Sequence, residues 1–364
     1  MPRAGCGTIF ELSPSGSGSW GEKVLYAFQG FSDGAYPTAP VVFDRRGNLY
    51  GTNNCPQDCF YNYGGGVVFQ LAPNSNGAWT ESILYTFPMD SGCSPGNFGT
   101  GSLVVCSVAF DHLGNLYSIV VGGRTQDCTS DGCGAVFNLG QISVFNWYRI
   151  TLYSFTDGSD GGYPQGQLNF DAGNNIYGTT GAGGTAGLGT AYRLTPDRGR
   201  QGWSETVLHS FQGGSSDGSN PTAGVVLDAA GNVYGTTLQG GSAGLGTVYM
   251  LTPQSNGTWT ETVLYSFQGG SDASSPNSSL TFDAGGDLYS TSGGGAHGHG
   301  AVFKLTPSIG GHWTERVVYS FTGGQDGGAP SGGVVQDGAG NLYGTAQSGG
   351  TYGQNGGVAF EITP

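Results

Sequence analysis

Asp228-Ala229-Ala230-Gly231-Asn232-Val233-Tyr234-Gly235-Thr236 decides the fold, because the chain repeats it six times. The other copies run from Asp44 to Thr52, Asp111 to Tyr117, Asp171 to Thr179, Asp283 to Thr291 and Asp337 to Thr345. Their tyrosines are Tyr50, Tyr117, Tyr177, Tyr234, Tyr289 and Tyr343, spaced by 67, 60, 57, 55 and 54 residues. Asp-x-x-Gly-Asn reads as a tight hairpin, in which the Asp caps its own turn and Gly or Asn accepts positive φ.

Three further elements accompany each copy. One is Trp-x-Glu-x-Val-Leu-Tyr-Ser-Phe, clearest from Trp259 to Phe267, and all six Trp (20, 79, 147, 203, 259 and 313) open it. Another is Gly-Thr-Val-Tyr-x-Leu-Thr-Pro, as at Gly246 to Pro253 and Gly300 to Pro307. The last is a short apolar run such as Gly224 to Leu227. Each is short, rich in β-branched and aromatic residues, and bounded by turn formers, which is the pattern of a strand. No stretch has a helical period long enough for a helix. Four antiparallel strands per repeat predict an all-β, six-bladed β-propeller. A β-solenoid is the alternative, although its coils are usually shorter.

In one blade the innermost strand is Val225 to Asp228, the second Asn232 to Thr236, the third Gly246 to Thr252 and the outermost Glu261 to Phe267. The expected organisation is a single domain, 1–364, with repeats at about 40–87, 104–155, 166–211, 223–267, 278–321 and 333–364. Residues 1–39 would supply strands that close the ring, Lys23 to Phe28 completing the blade begun near Gly333. The third-strand element, however, occurs seven times, starting at Gly7, Gly66, Gly134, Gly189, Gly246, Gly300 and Gly357. One terminal strand is therefore surplus, and it could pair with another copy, head to tail. The plainer reading is an extra edge strand.

Composition narrows the function. Gly accounts for 72 of 364 residues, and charged residues for only 10%. Eleven basic against 25 acidic side chains give a net charge of −14, which opposes binding to nucleic acid or an anionic membrane surface. No apolar run approaches the length of a membrane helix. Most glycine falls in two loop families on one face, where a ligand would be sought.

Taken together, these motifs resemble the GloVer (Gloeo/Verruco) tandem repeat of bacterial surface and secreted proteins. The resemblance covers almost the whole chain and implies an exported protein, extracellular or at the cell surface. It carries over no catalytic residues. The sequence shows no signal peptide or anchor, as in a mature or trimmed form.

All seven Cys precede residue 134. Cys55 with Cys59, Cys93 with Cys106, and Cys128 with Cys133 read as three local disulfides, in keeping with an oxidising compartment. The spacings do not suit a zinc site. Cys6 is left over, to stay unpaired or to bridge between molecules.

An acid precedes a Pro in the inter-blade loops: Asp33, Asp90, Asp160, Asp217, Asp272 and Asp326. Six such oxygen donors could ring a channel mouth and hold Ca²⁺; Asx turns explain them equally well. Tyr36, Phe60, Tyr61, Tyr63 and Tyr163 are candidates for stacking on sugar rings, against the reading of a local loop core. His297 and His299 flank one Gly without further ligands in view and read as solvated loop residues. The seven Glu fall mostly in the Trp-x-Glu element and in third strands, and no nucleophile triad, zinc helix or phosphate loop appears. Because site residues are usually unique and these acids repeat, the chain reads as a non-enzyme without a dedicated cofactor. The first functional expectation is a structural, self-assembling surface protein. The alternative is a glycan-binding module for a neutral polysaccharide, and a glycan-active enzyme is the third reading.

Overall fold

A computed structural model describes residues 6–16, 18–30, 33–37, 39–53, 66–87, 107–121, 133–143, 146–197, 202–351 and 356–364. Among these there is no helix, and the strands form six four-stranded antiparallel sheets and two two-stranded ones. The expected all-β fold of propeller-type blades is therefore borne out, extra terminal strand included. The chain divides into two compact units, Met1–Thr156 and Asp157–Pro364.

One blade illustrates the others. Val226–Leu227 pairs with Val233–Thr237, which pairs with Thr247–Pro253, which pairs with Trp259–Ser266. The first hairpin is built by Asp228. Its Oδ1 accepts the Ala230 and Asn232 N–H groups at 2.9 Å, and its Oδ2 accepts Asn232 Nδ2 at 2.8 Å and the Tyr234 hydroxyl at 3.0 Å. Burial opposes ionisation there, but these donors hold the Asp228 carboxyl below its ordinary range. Gly231 turns the chain at φ 83°, and in the Asp171 copy Asn174 takes that role at φ 60°. The repeated motif is thus a self-capped turn, as its residues predict.

Blades are joined by aromatic rings. Within each unit, the Phe that ends an outer strand inserts edge-on against a third-strand aromatic of the blade that follows or of the terminal sheet. Phe28 meets Phe69 at 5.1 Å, Phe211 meets Tyr249 at 5.1 Å, and Phe267 meets Phe303 at 5.0 Å. These rings are fully or almost fully buried, and each contributes on the order of 1.5–3 kcal/mol by leaving water. Gly235 on the second strand makes room for one of them, because a Cβ there would collide with the Tyr249 hydroxyl.

The last sheet departs from this plan. Leu342–Ser348 pairs on one side with Val335–Gln336 and Gly328–Pro330, and on the other with Val358–Ile362. Val358–Ile362 thus holds the third position. The seventh copy of the third-strand element, Thr8–Ser15, pairs along its length with Ser19–Ala27 across the turn at Gly18. This hairpin is local, so its pairing closes only a short loop. It packs Ile9 and Phe28 on Leu49, Val67, Phe69 and Leu71 of the first complete blade.

Candidate functional site

Two features recur where one blade hands over to the next. The first is a seam of polar side chains between adjacent outer strands. The Tyr of Val-Leu-Tyr-Ser-Phe, the Asp of the following loop and the Glu of the next Trp-x-Glu meet there. Tyr26 donates to Asp33 Oδ2 at 3.3 Å and to Glu81 Oε2 at 3.0 Å. Tyr265 donates to Asp272 Oδ2 at 3.1 Å, and Tyr319 to Asp326 Oδ2 at 3.0 Å. Each Asp also caps its own loop, accepting the backbone N–H of Gln29, Gln268 or Thr322 at 2.7–2.8 Å.

The seam glutamates are electrostatically unusual. Burial, augmented by a neighbouring Asp, pushes Glu81, Glu205 and Glu261 up to about 7 and Glu315 up to about 8. In all four, Oε1 is buried without a hydrogen-bond partner among the described residues. In the second blade Arg149 stands in the Glu position, with its guanidinium 4.8 Å from the centre of the Phe137 ring.

One seam differs from the rest. Where the other copies have Tyr, the outer strand carries His209. Its Nε2 lies 3.0 Å from Asp217 Oδ2, and Glu261 of the next blade closes the group. Asp217 accepts the Gln212 N–H at 2.7 Å and the Gly218 N–H at 2.6 Å. Burial opposes its ionisation, but the His209 contact and these backbone donors hold the carboxyl below its ordinary range. Sequence reasoning singled out Asp217 and passed over His209. The signal was present as a break in the repeat, Leu208-His209-Ser210-Phe211 in place of Leu-Tyr-Ser-Phe.

The second feature is a strained residue before the loop proline. Tyr36, Tyr163, Asn220, Ser275 and Ala329 occupy this position with φ of 53°, 57°, 56°, 50° and 53°. Non-glycine residues rarely adopt such values, and a following proline narrows the choice further. The N–H groups of Tyr36, Asn220, Ser275 and Ala329 fix the geometry by donating to Cys6, Leu188, Leu245 and His299 carbonyls at 2.7–2.9 Å. The proline rings then pack on the glycine that opens a third strand, Pro276 on Gly246 for example.

The remaining candidates are placed as follows. Asp33, Asp217, Asp272 and Asp326 each bind their own loop backbone, and the charge of Asp160 acts on Asp157 and Glu205. Tyr36 is 48% exposed and Tyr163 half-buried. His297 and His299 are exposed and join no cluster of three metal-type side chains among the described residues. Cys133 is buried, and Cys6 is half-buried with its sulfur against Gly30. Asp90, Phe60, Tyr61, Tyr63, Cys55, Cys59, Cys93, Cys106 and Cys128 lie outside the described residues.

Comparison with solved structures places the fold. An oxidoreductase of the glucose dehydrogenase type from Thermus thermophilus is 16% identical, with 90% of this chain and 97% of that chain covered at a TM-score of 0.49. An ulvan lyase, a polysaccharide lyase solved with a -[GlcA(1-4)Rha3S]- ligand, is 12% identical, with 85% and 80% covered at a TM-score of 0.50. The Trypanosoma rangeli sialidase is 12% identical, with 92% and 55% covered at a TM-score of 0.41. No curated protein matches in sequence. The expectation of a non-enzyme is overturned at this point. Blades of this kind are the scaffold of a lyase, so the architecture gives no ground for excluding catalysis. His209, which breaks the repeat, also removes the argument that every polar seam is the same. Over residues 200–364 the chain matches the Gloeobacter/Verrucomicrobia repeat, the family that its motifs resemble.

Proposed function

We propose that this protein is a carbohydrate-directed propeller whose inter-blade loops engage a neutral polysaccharide. One observation carries the reading: Tyr36 and Tyr163 share the same loop position and the same left-handed backbone, at φ 53° and 57°. A strained tyrosine costs about 1–3 kcal/mol, and strain of this kind gathers at ligand clamps. An aromatic ring held rigidly, and in Tyr36 half exposed, is a ready platform for the apolar face of a sugar. Asn220 and Ser275 at the equivalent position offer hydrogen bonds in place of a ring. Acids stand beside both rings, Asp33 in the Tyr36 loop and Asp157 acting on Tyr163, which favours uncharged polymers over acidic ones.

Affinity electrophoresis through gels containing xylan, β-glucan or galactomannan tests this. The protein should be retarded by at least one polymer, and Tyr36→Ala with Tyr163→Ala should weaken that retardation by roughly tenfold, the size of one lost aromatic contact. Absence of retardation in every gel, or equal retardation of the double variant, would sink the reading. Reducing ends assayed in the same mixtures separate binding alone from cleavage.

A further inference from the structure

We propose that His209, Asp217 and Glu261 form a binding site for a divalent transition-metal ion of the Zn²⁺ type. One ligand atom from each lies within 4.8 Å of the other two. His209 Nε2 and Asp217 Oδ2 are 3.0 Å apart, close to the roughly 3.3 Å that separates two ligands each about 2.0–2.1 Å from a tetrahedral ion. The strand ends and the capped loop hold the backbones of all three residues, and the Glu261 side chain would close on the other two as the ion binds, since ligands of one ion stand no more than roughly 4.2 Å apart.

A second observation points to the same place. Tyr249 is fully buried, and its hydroxyl has no hydrogen-bond partner among the described residues. The charges of Glu261 and Asp217 act on that hydroxyl, and Glu261 Oε1 is itself buried without a partner among those residues. Two orphaned polar atoms beside a histidine–carboxylate pair are costly unless something occupies the space between them. A cation would take up the Glu261 oxygen, and the Tyr249 hydroxyl would be left to support a ligating carboxylate.

Comparison with the other seams shows why the site is confined to this one. Tyr26, Tyr265 and Tyr319 stand where His209 does, and each satisfies its Asp by donating a hydroxyl hydrogen. Phe69, Phe303 and the buried Tyr192 stand where Tyr249 does, and the buried glutamate oxygen recurs at Glu81, Glu205 and Glu315, so it is His209 that sets this seam apart. Only a ring nitrogen adds the borderline-soft donor that selects Zn²⁺ or a neighbouring first-row ion over Ca²⁺, which wants six to eight oxygens. His209 and Asp217 retain side-chain exposures of 21% and 11%, so an ion can reach them from solvent.

Isothermal titration of the EDTA-stripped full chain with ZnCl₂, paired with thermal unfolding, provides the test. The expected result is one Zn²⁺ per chain and a raised Tm, with CaCl₂ at equal concentration giving neither. His209→Tyr installs the residue that the other seams carry, so it should fold normally and bind Zn²⁺ at least about tenfold more weakly. Glu261→Gln should weaken binding without removing the histidine. No zinc binding by the unaltered chain would overturn the proposal. Unchanged affinity and stoichiometry in His209→Tyr would do so as well, because the ion would then sit elsewhere, for instance at His297 and His299.

Discussion

The seam around Asp272 and the seam around Asp217 are built on the same strand pattern and differ in two of the side chains that meet there, although the Asp217 loop is one residue longer from its capping glutamine. In the first, the Tyr265 hydroxyl donates to Asp272 Oδ2 at 3.1 Å, and Phe303 lies behind. In the second, His209 Nε2 stands 3.0 Å from Asp217 Oδ2, and Tyr249 lies behind. Both loops are capped by a glutamine N–H at 2.7 Å, and both hold a glutamate of the next blade in a poorly solvated position. The repeat therefore supplies a standing acid pair at the boundary between blades. Exchanging tyrosine for histidine turns a structural hydrogen bond into a potential ligand set on the same outer-strand pattern. A chain built from copies can acquire a local site by point substitution, because the copies already hold the scaffold.

The comparison can be broken first at what the seams share. Phe211→Ala and Phe267→Ala each remove a fully buried ring from between two blades, and each should cost about 3–5 kcal/mol in urea unfolding. Markedly unequal losses would mean that the two seams do not rest on the same packing. A pH series sharpens the role of the acids. Glu315 is raised from 4.5 to about 8, by burial first and then by the charge and hydrogen bond of Asp272. Its contribution is complete below about 4.5 and is lost as the pH rises through about 8, since the unfolded chain releases the proton more readily. Urea midpoints should fall across that window, and Glu315→Gln should flatten part of the slope; an unaltered slope would exclude Glu315 as a titrating group. The smallest effect belongs to the residue that distinguishes the seams. Without metal, His209→Tyr should change stability by no more than about 0.5 kcal/mol, since the tyrosine can donate to Asp217 as Tyr265 does to Asp272. A loss of several times that would show that His209 is itself a structural element.

Much of the fold could be read directly. Asp228, Gly231, Asn232 and Tyr234 meet within one hairpin, so their spacing alone specifies the turn and its hydrogen bonds. The strands around Trp259 and Gly246 were legible for a similar reason, since their β-branched and aromatic runs end at local turn formers. Val358–Ile362 and Thr8–Ser15 were not separable, because both carry the third-strand pattern and either could have filled the last sheet. The site was harder still. His209 looked like one more outer-strand residue, Glu261 like one more Trp-x-Glu, and Tyr249 like one more blade aromatic. Tyr36 was visible as an aromatic loop residue, but its left-handed backbone was not.

By itself, then, the sequence determined the blades, their hairpins and the repeat that generates them, because those depend on contacts a few residues apart. It also set the low charge that bears on the choice of ligand. Only the tertiary structure decided that His209, Asp217 and Glu261 share one space. Their meeting depends on how Phe211 seats against Tyr249 of the next blade, and such packing sets the register between blades without leaving a period in the sequence.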